Sequence, residues 1–431
     1  MIIDFAVTNF RSIKNEQLFS MFAESKPQLH SGNIVSLPND INVLKVAAIF
    51  GANASGKSNL LLAFEALQNL MIESGDRKDG DDIPEYEPYI LSVLTETDAT
   101  KFEVEFTIGD DRFKYYIQYD KKNILFEKLD QYKTIKSSNI FTRNSPDDWN
   151  GVKFGDSYKG GRRKFAFFSN NSYLSKAGNS PDSPKVIRDV FNYFRKNIDV
   201  IMSTERVGVL EWENNSAAVE IVTKFLKHAD FGIDKFDLKQ HELPAHFSLP
   251  EDMPDDIKDK LKKKFSKKEV FYHTSEDGQL IPFDKHMESK GTRRLFELLP
   301  YFLIVLKEGT TAFIDEIESS LHPHIAELIV KIFNDPSINL KNAQLIFTTH
   351  DVNLMSQSKL RKDQIYLSRK THAQGTEYND LSYFDESLKD NSPFSKWYNE
   401  GRLGGIPDID YKIIGDAIKG IFTSAKTENK E

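Results

Sequence analysis

Apolar and polar positions alternate loosely from Ile2 to Phe10, which predicts a first strand running into a turn at Thr8-Asn9-Phe10-Arg11-Ser12-Ile13. The pattern lapses between Glu24 and Asp40, and loop is expected there. Val46 to Phe50 is a continuous apolar run with strand character, and Leu60, Phe64, Leu67 and Met71 then recur at helical spacing. Glu73 to Glu87 is rich in Asp, Gly and Pro without periodic apolar positions, so it reads as an exposed connection. Strict alternation returns in Phe102, Val104, Phe106 and Ile108, and again in Phe113, Tyr115, Ile117 and Tyr119, on either side of Gly109-Asp110-Asp111. Half-buried antiparallel strands joined by a tight turn carry that pattern. Residues 123–132 and 138–143 continue the meander.

From about Lys164 to Lys285 the period becomes helical, with Val186, Val190, Phe191 and Phe194, then Val219, Val222, Leu226 and Ala229, then Ile257, Leu261 and Phe265 in a helix expected from Pro254 to Glu269. No heptad pattern persists for three or four repeats, so long coiled-coil arms are not expected. Further on, a helix carries Leu295, Leu298, Leu299 and Phe302, and apolar strands end at Ile314 and Thr348 with a helix, Pro323 to Phe333, between them. A hairpin around Gln374-Gly375 and an amphipathic helix from Asp408 to Phe422 complete the expected elements. The expected domains are a first lobe over 1–165, a helical insertion over 166–285 and a second lobe over 286–431.

The 431 residues allow two to three domains, or one large domain with an insertion. A net charge of -8 excludes a globally basic nucleic-acid binder, so any such contact must come from a local patch. Lys258 to Lys268 is the most basic segment and reads either as a dock for DNA or an acidic partner, or as a solvated helix face; Arg162-Arg163-Lys164 has the same two readings. The absence of cysteine removes disulfides, thiolate metal sites and cysteine nucleophiles, and fits a cytoplasmic protein. Asp4 and Arg11 interrupt the N-terminal apolar run and no stretch reaches the ~20 apolar residues of a membrane span, so neither export nor membrane insertion is expected.

The candidate chemistry starts where the strand at Phe50 breaks into Gly51-Ala52-Asn53-Ala54-Ser55-Gly56-Lys57-Ser58. Gly, four residues, then Gly-Lys-Ser is the Walker A spacing, in which backbone N–H groups cradle phosphates and the following helix N-terminus favours the anion. The candidate ATP-binding residues are therefore Gly51, Asn53, Ala54, Ser55, Gly56, Lys57, Ser58 and Asn59, with Lys57 reaching the β and γ phosphates and Ser58 ligating Mg²⁺. The strand Ala312-Phe313-Ile314 ends in Asp315-Glu316, the Walker B form: Asp315 holds the Mg²⁺ shell and Glu316 polarises the attacking water. A glutamate at 316 favours hydrolysis over binding alone. Upstream, Ser289-Lys290-Gly291 at a helix start offers hydroxyl and backbone donors to an anion, or is an ordinary N-cap; its place before Walker B is that of a signature motif. Downstream, His350 ends an apolar strand and can hydrogen-bond the γ-phosphate or the water. Arg11 reads equally as a phosphate partner or a surface arginine. His322 and His324 lack a convergent ligand set, so no Zn²⁺ site is expected.

Taken together, Asn9-Phe10-Arg11, Gly51 to Ser58, Ser289-Lys290-Gly291, Asp315-Glu316, Ser320-Leu321-His322-Pro323 and His350 resemble the ABC-type ATPases of the RecF, SMC and OLD (overcoming lysogenization defect) group. The resemblance is nearest to the OLD-like AAA-family ATPases of prokaryotic anti-phage defence loci, of the RloA, AbiL ATPase and AriA (PARIS) kind. It spans roughly 1–165 and 285–385, and residues 394–407 also resemble the tail of that subgroup. It implies an α/β fold, a P-loop ATPase head with an antiparallel β lobe and a helical insertion. It also implies a homodimer or higher homo-oligomer sandwiching two ATP molecules, each P-loop facing the other subunit's Ser289 and Gly291. The chain departs from the transporter signature, with Ser-Lys-Gly-Thr for Ser-Gly-Gly-Gln, and its Q-loop glutamine has no clear place, Gln68 falling within the P-loop helix. After His350 there is no room for the Toprim nuclease of longer OLD proteins, and Asp408-Ile409-Asp410 supplies one element of it only. The implied function is an ATP-hydrolysing switch that regulates a separately encoded nuclease or toxin effector. The alternatives are a RecF-like DNA-repair ATPase binding DNA through the insertion, and a nucleotide-gated scaffold that sequesters a partner.

Overall fold

The computed structural model describes the chain except residues 25–29, 135, 146–148, 204–215, 230, 241–248, 251–252, 372–374, 390–391, 408 and 428–431. Two sheets face each other across a helix. The first is antiparallel and combines β1 (Ile2–Thr8), β2 (Gln17–Ser20), β6 (Thr100–Ile108), β7 (Asp111–Tyr119), β8 (Ile124–Tyr132), β9 (Ser137–Asn144) and β10 (Lys153–Phe154) in the order β10-β9-β8-β7-β6-β1-β2. The alternation read in the sequence is what makes it: Phe102, Val104 and Phe106 are buried while Glu103 and Glu105 pair across the strand with Lys114 and Arg112. Gly109, at φ +59°, makes the turn between β6 and β7.

The second sheet has the order β11 (Ile198–Ile201), β15 (Thr311–Ile314), β16 (Gln344–Thr348), β5 (Val46–Phe50), β17 (Ile365–Thr371) and β18 (Gly375–Asp380). All its pairings are parallel except the β17–β18 hairpin. Its central strands are continuous apolar runs because both faces are covered. Ala47, Ile49, Phe313 and Ile346 face the core shared with the antiparallel sheet; Val46, Ala48, Phe50, Ala312, Ile314, Leu345 and Phe347 face the core on the other side.

Helix α1 (Lys57–Ile72) fills the space between the sheets. Phe64 on its buried stripe meets Phe5 of β1 edge-on at 5.0 Å and stacks on Phe313 of β15 at 4.2 Å. The short α2 (Tyr173–Gly178) and α3 (Lys185–Lys196) pack in the same layer. The opposite face of the parallel sheet is covered by α4 (Ser216–His228), α6 (Lys290–Glu308) and α7 (Pro323–Asn334). Buried Gln344 ties the sheets together: its amide accepts from Ile2 N–H at 2.6 Å and donates to the carbonyls of Ile2 and Leu44 at 2.9 and 3.1 Å. A buried amide side chain with all these partners met resists any sliding of one sheet on the other.

The structure departs from the sequence reading in three places. The connection expected to be exposed from Glu73 to Glu87 buries Ser74 and Ile83 and holds an Arg77–Glu85 ion pair at 2.6 Å that is mostly shielded from solvent. The span expected as loop before Asp40 contributes β3 (Ile34–Leu37), which pairs with β4 (Ile41–Leu44). The segment expected to be helical does contain α3, α4 and α5 (Asp255–Phe265), but it also contributes β11 to the parallel sheet and a separate sheet of β12 (Lys235–Gln240), β13 (Lys267–Thr274) and β14 (Leu280–Asp284). Glu269, expected to end a helix, lies in β13, where Val270, Phe271 and Tyr272 favour a strand. Pro282 is tolerated because β14 is an edge strand. The chain ends in α8 (Phe394–Asn399) and α9 (Tyr411–Thr427); Gln374 and Asp408 lie outside the described residues. Among the described residues no helix is long and apolar enough to cross a membrane.

Candidate nucleotide site

Three adjacent parallel strands, β15, β16 and β5, end at one edge, and the turns that follow them carry the candidate residues. Such an edge is where open α/β sheets hold ligands. After β5 the chain turns through Gly51 to Gly56, with Ala54 at φ +59° and Gly56 at φ +100°. A Cβ on Gly51 would fall on the Ser368 hydroxyl, and one on Gly56 on the Thr376 hydroxyl. Both glycines are required by close approach to what lies beneath.

Beneath is a floor of hydroxyls from the β17–β18 hairpin and the β1–β2 turn. Ser368 Oγ lies 2.5 Å from Ser55 Oγ, Thr376 donates to the Ser55 carbonyl at 2.9 Å, and Tyr378 donates to the Gly56 carbonyl at 2.6 Å. Ser12 Oγ joins them, 2.7 Å from Thr376 Oγ1, and accepts from Asn59 Nδ2 at 2.6 Å. The loop's carbonyls and side chains are held from below, while Asn53 and Ala54 stay exposed. None of these four hydroxyl residues belongs to a local motif. Their only sequence signal is that β17 and β18 carry hydroxyls at positions where a strand would otherwise bury apolar side chains.

Lys57 is buried and its ammonium donates to the carbonyls of Gly51 and Ala52 at 2.9 and 3.1 Å. Burial lowers its pKa from the ordinary 10.5, and the charges of Glu316, Asp315 and Glu318 oppose that shift. Ser58 Oγ donates to Asp315 Oδ1 at 2.7 Å, and Thr348 Oγ1 donates to the same oxygen at 2.7 Å. Thr348 in turn accepts from Glu316 N–H at 2.7 Å, which holds Glu316 at the strained φ of +49°. His350 Nε2 lies 3.9 Å from Glu316 Oε1, and both side chains are partly exposed at the edge. The structure thus brings Lys57, Ser58, Asp315, Glu316 and His350 together. Thr348, which joins the two Walker B acids, is a functional candidate the sequence reading missed.

Arg11 and the signature residues stand apart. Arg11, at φ +49°, turns its guanidinium to Glu87 at 2.9 Å, and it is the adjacent Ser12 that reaches the P-loop helix. Ser289 caps α6 by accepting from Thr292 N–H at 3.0 Å, and Gly291 lies so close to the Ser320 carbonyl that a Cβ would meet it at 2.5 Å. Among the described residues neither has a hydrogen bond to the P-loop of its own chain. Gln68 donates to the carbonyls of Phe194 and Ile198, tying α1 to the end of α3 and the start of β11.

Of the basic segment, Lys268 pairs with Asp284 at 2.6 Å and Lys258 lies 3.9 Å from Asp255; the side chains of Lys260, Lys263, Lys264 and Lys267 lie outside the described residues. His322 Nδ1 accepts from His324 N–H at 3.3 Å, and among the described residues no cluster of three or more His, Asp or Glu side chains could hold a metal by itself. The donors near the P-loop, the Ser58 hydroxyl and the Asp315 carboxylate, are hard oxygen ligands. They suit Mg²⁺, which takes one or two protein oxygens and completes its shell with phosphate and water.

Residues 46–356, more than two thirds of the chain, match the family described as "AAA domain, putative AbiEii toxin, Type IV TA system". The chain belongs to this family. Among solved structures, this AAA-domain chain is similar to the Smc head bound to the C-winged helix domain of ScpA, at 14% identity over 89% of this chain and 98% of that one, with a TM-score of 0.41. No curated protein matches the sequence. The fold is mixed α/β, with an antiparallel sheet and a mainly parallel sheet packed on either side of the helix that follows the Gly51–Ser58 loop.

Proposed function

We propose that the protein binds and hydrolyses ATP with Mg²⁺ and works as a switch whose state is set by the nucleotide. The convergence of Lys57, Ser58, Asp315, Glu316 and His350 at the ends of three adjacent parallel strands carries this reading. Loop N–H groups and Lys57 bind the phosphates. Mg²⁺, when bound through Ser58 and Asp315, supplies charge neutralisation at the β and γ oxygens. Glu316 takes the proton of the attacking water, and His350, within reach of Glu316, contacts the terminal phosphate or that water. Thr348 keeps both acids in register by donating to Asp315 and accepting from Glu316 N–H.

The placement of Ser289 and Gly291 away from their own P-loop supports a second copy as the missing wall of the site, giving a homodimer or higher homo-oligomer. The family's naming after a toxin of a toxin–antitoxin system supports a role in defence, with the ATPase controlling a separately encoded effector. Glu316→Gln tests the reading: ATP affinity should stay within about threefold while turnover falls by roughly 10²–10⁴, the usual contribution of a positioned base. Turnover at the wild-type rate in that variant would remove Glu316 from the mechanism.

A further inference from the structure

The turns after β15 and β16 run side by side at the nucleotide edge and are stitched together by four hydrogen bonds. Three involve Thr348: its hydroxyl donates to Asp315 and accepts from Glu316 N–H, and its carbonyl accepts from Ile317 N–H at 3.1 Å. The fourth comes from a side chain that no motif assigns. Glu318 Oε1 accepts the backbone N–H of His350 at 2.5 Å. The other oxygen of the same carboxylate, Oε2, is shielded from solvent and has no hydrogen-bond partner among the described residues.

A carboxylate with one oxygen sealed off and unpaired is costly to keep, and such costs gather where a fold serves chemistry more than stability. Its surroundings are the site itself. Glu318 is near enough to Lys57 for its charge to act on the lysine together with those of Glu316 and Asp315. Its partner is the residue whose imidazole stands 3.9 Å from Glu316. His350 lies just beyond the end of β16, so the ladder no longer fixes its backbone, and the bond to Glu318 takes over that task.

We propose that Glu318 is a positioning residue for ATP hydrolysis: by holding the His350 N–H it aims the imidazole of His350 toward the reacting phosphate and water beside Glu316. This rests on the ATPase reading above. The link also couples the two turns, so the turn that begins at Walker B and runs on to Ser320, against which Gly291 packs, cannot shift without moving His350.

The test is steady-state ATP turnover and ATP affinity of the full chain as wild type, Glu318→Ala, Glu318→Gln, His350→Ala and the Glu318→Ala/His350→Ala double variant. Glu318→Ala should lower kcat by about 10–100-fold, the scale of a misplacement near 1 Å, with ATP affinity within about threefold. Glu318→Gln, which keeps a carbonyl acceptor for the N–H, should recover most of the rate. The double variant should be no slower than His350→Ala, since a residue acting through another adds nothing once that other is gone. Three results would overturn the proposal: a wild-type rate in Glu318→Ala, additive losses in the double variant, or Glu318→Gln as slow as Glu318→Ala. The Gln variant, nearly isosteric, keeps the test decisive should the Ala variant fail to fold. A wild-type protein without ATP turnover would remove the ATPase reading and this one with it, whereas an active wild type with an unaffected Glu318→Ala removes this one alone.

Discussion

Replacing Gly56 by alanine should strain the P-loop in two separate ways. Gly56 sits at φ +100°, where an L side chain is disfavoured, and the new Cβ would fall on Thr376 Oγ1 with Ser12 Oγ at 2.8 Å and Thr376 Cγ2 at 2.9 Å. The left-handed backbone alone costs about 1–2 kcal/mol. Forcing a methyl into a filled space adds about 1–3 kcal/mol. Gly109 supplies the control: it has φ +59° in an exposed turn, and a Cβ there would meet nothing within 4 Å, so Gly109→Ala carries only the backbone cost. Urea unfolding of the two variants should therefore separate by about 1–3 kcal/mol, Gly56→Ala being the less stable. Relief of the clash must also move the loop N–H groups off the positions set by Ser12, Thr376 and Tyr378, so binding of a fluorescent ATP analogue should weaken at least tenfold, equivalent to about 1.4 kcal/mol. Equal stability of the two variants with undiminished ATP binding by Gly56→Ala would refute the idea that the loop is held against a rigid floor.

Two further outcomes follow from the same geometry. Tyr378→Phe removes the donor to the Gly56 carbonyl but keeps the buried ring, so stability should fall by about 0.5–1.5 kcal/mol and ATP affinity severalfold, read by thermal melting and calorimetry; an unchanged affinity would show that this hydroxyl does not support the loop. Burial holds the Lys57 pKa below the ordinary 10.5, so in the free protein the ammonium loses its proton earlier than a free lysine on raising the pH; phosphate binding adds negative charge and pushes the pKa back up. ATP binding should then take up protons at alkaline pH, and the uptake should fade as the pH drops below the depressed pKa. Calorimetry in two buffers of different ionisation enthalpy measures it, and proton release in that alkaline window would contradict the assignment of Lys57 as the phosphate ligand.

What the sequence revealed and what it hid divide along physical lines. That the Gly51–Ser58 loop, Asp315-Glu316 and His350 meet at one sheet edge was legible because the phosphate chemistry proposed for them demands fixed residue types at short spacing beside strand ends. The antiparallel meander could be found because one face of each strand is buried and the other paired by charge, giving period two. The hydroxyl floor could not: Ser368, Thr376 and Tyr378 lie over 300 residues from the loop they support, and isolated hydroxyls carry no periodic signal. Thr348 and Glu318 were hidden for the same reason, each acting through hydrogen bonds between two turns more than 30 residues apart in sequence. Strand β11 was too short to declare itself, and β13 follows directly on a lysine-rich helix whose charge pattern masks the change of period. Arg11 was singled out by its motif, yet the contact with the P-loop helix belongs to Ser12.

The claim that the nucleotide site is finished by a second copy is tested most directly by light scattering of Glu316→Gln at saturating Mg²⁺ and ATP, where slow hydrolysis keeps the nucleotide in place. The account predicts a mass of at least twice the 49.5 kDa chain, falling when the nucleotide is removed. A fully ATP-loaded protein that remains at the mass of one chain would contradict it.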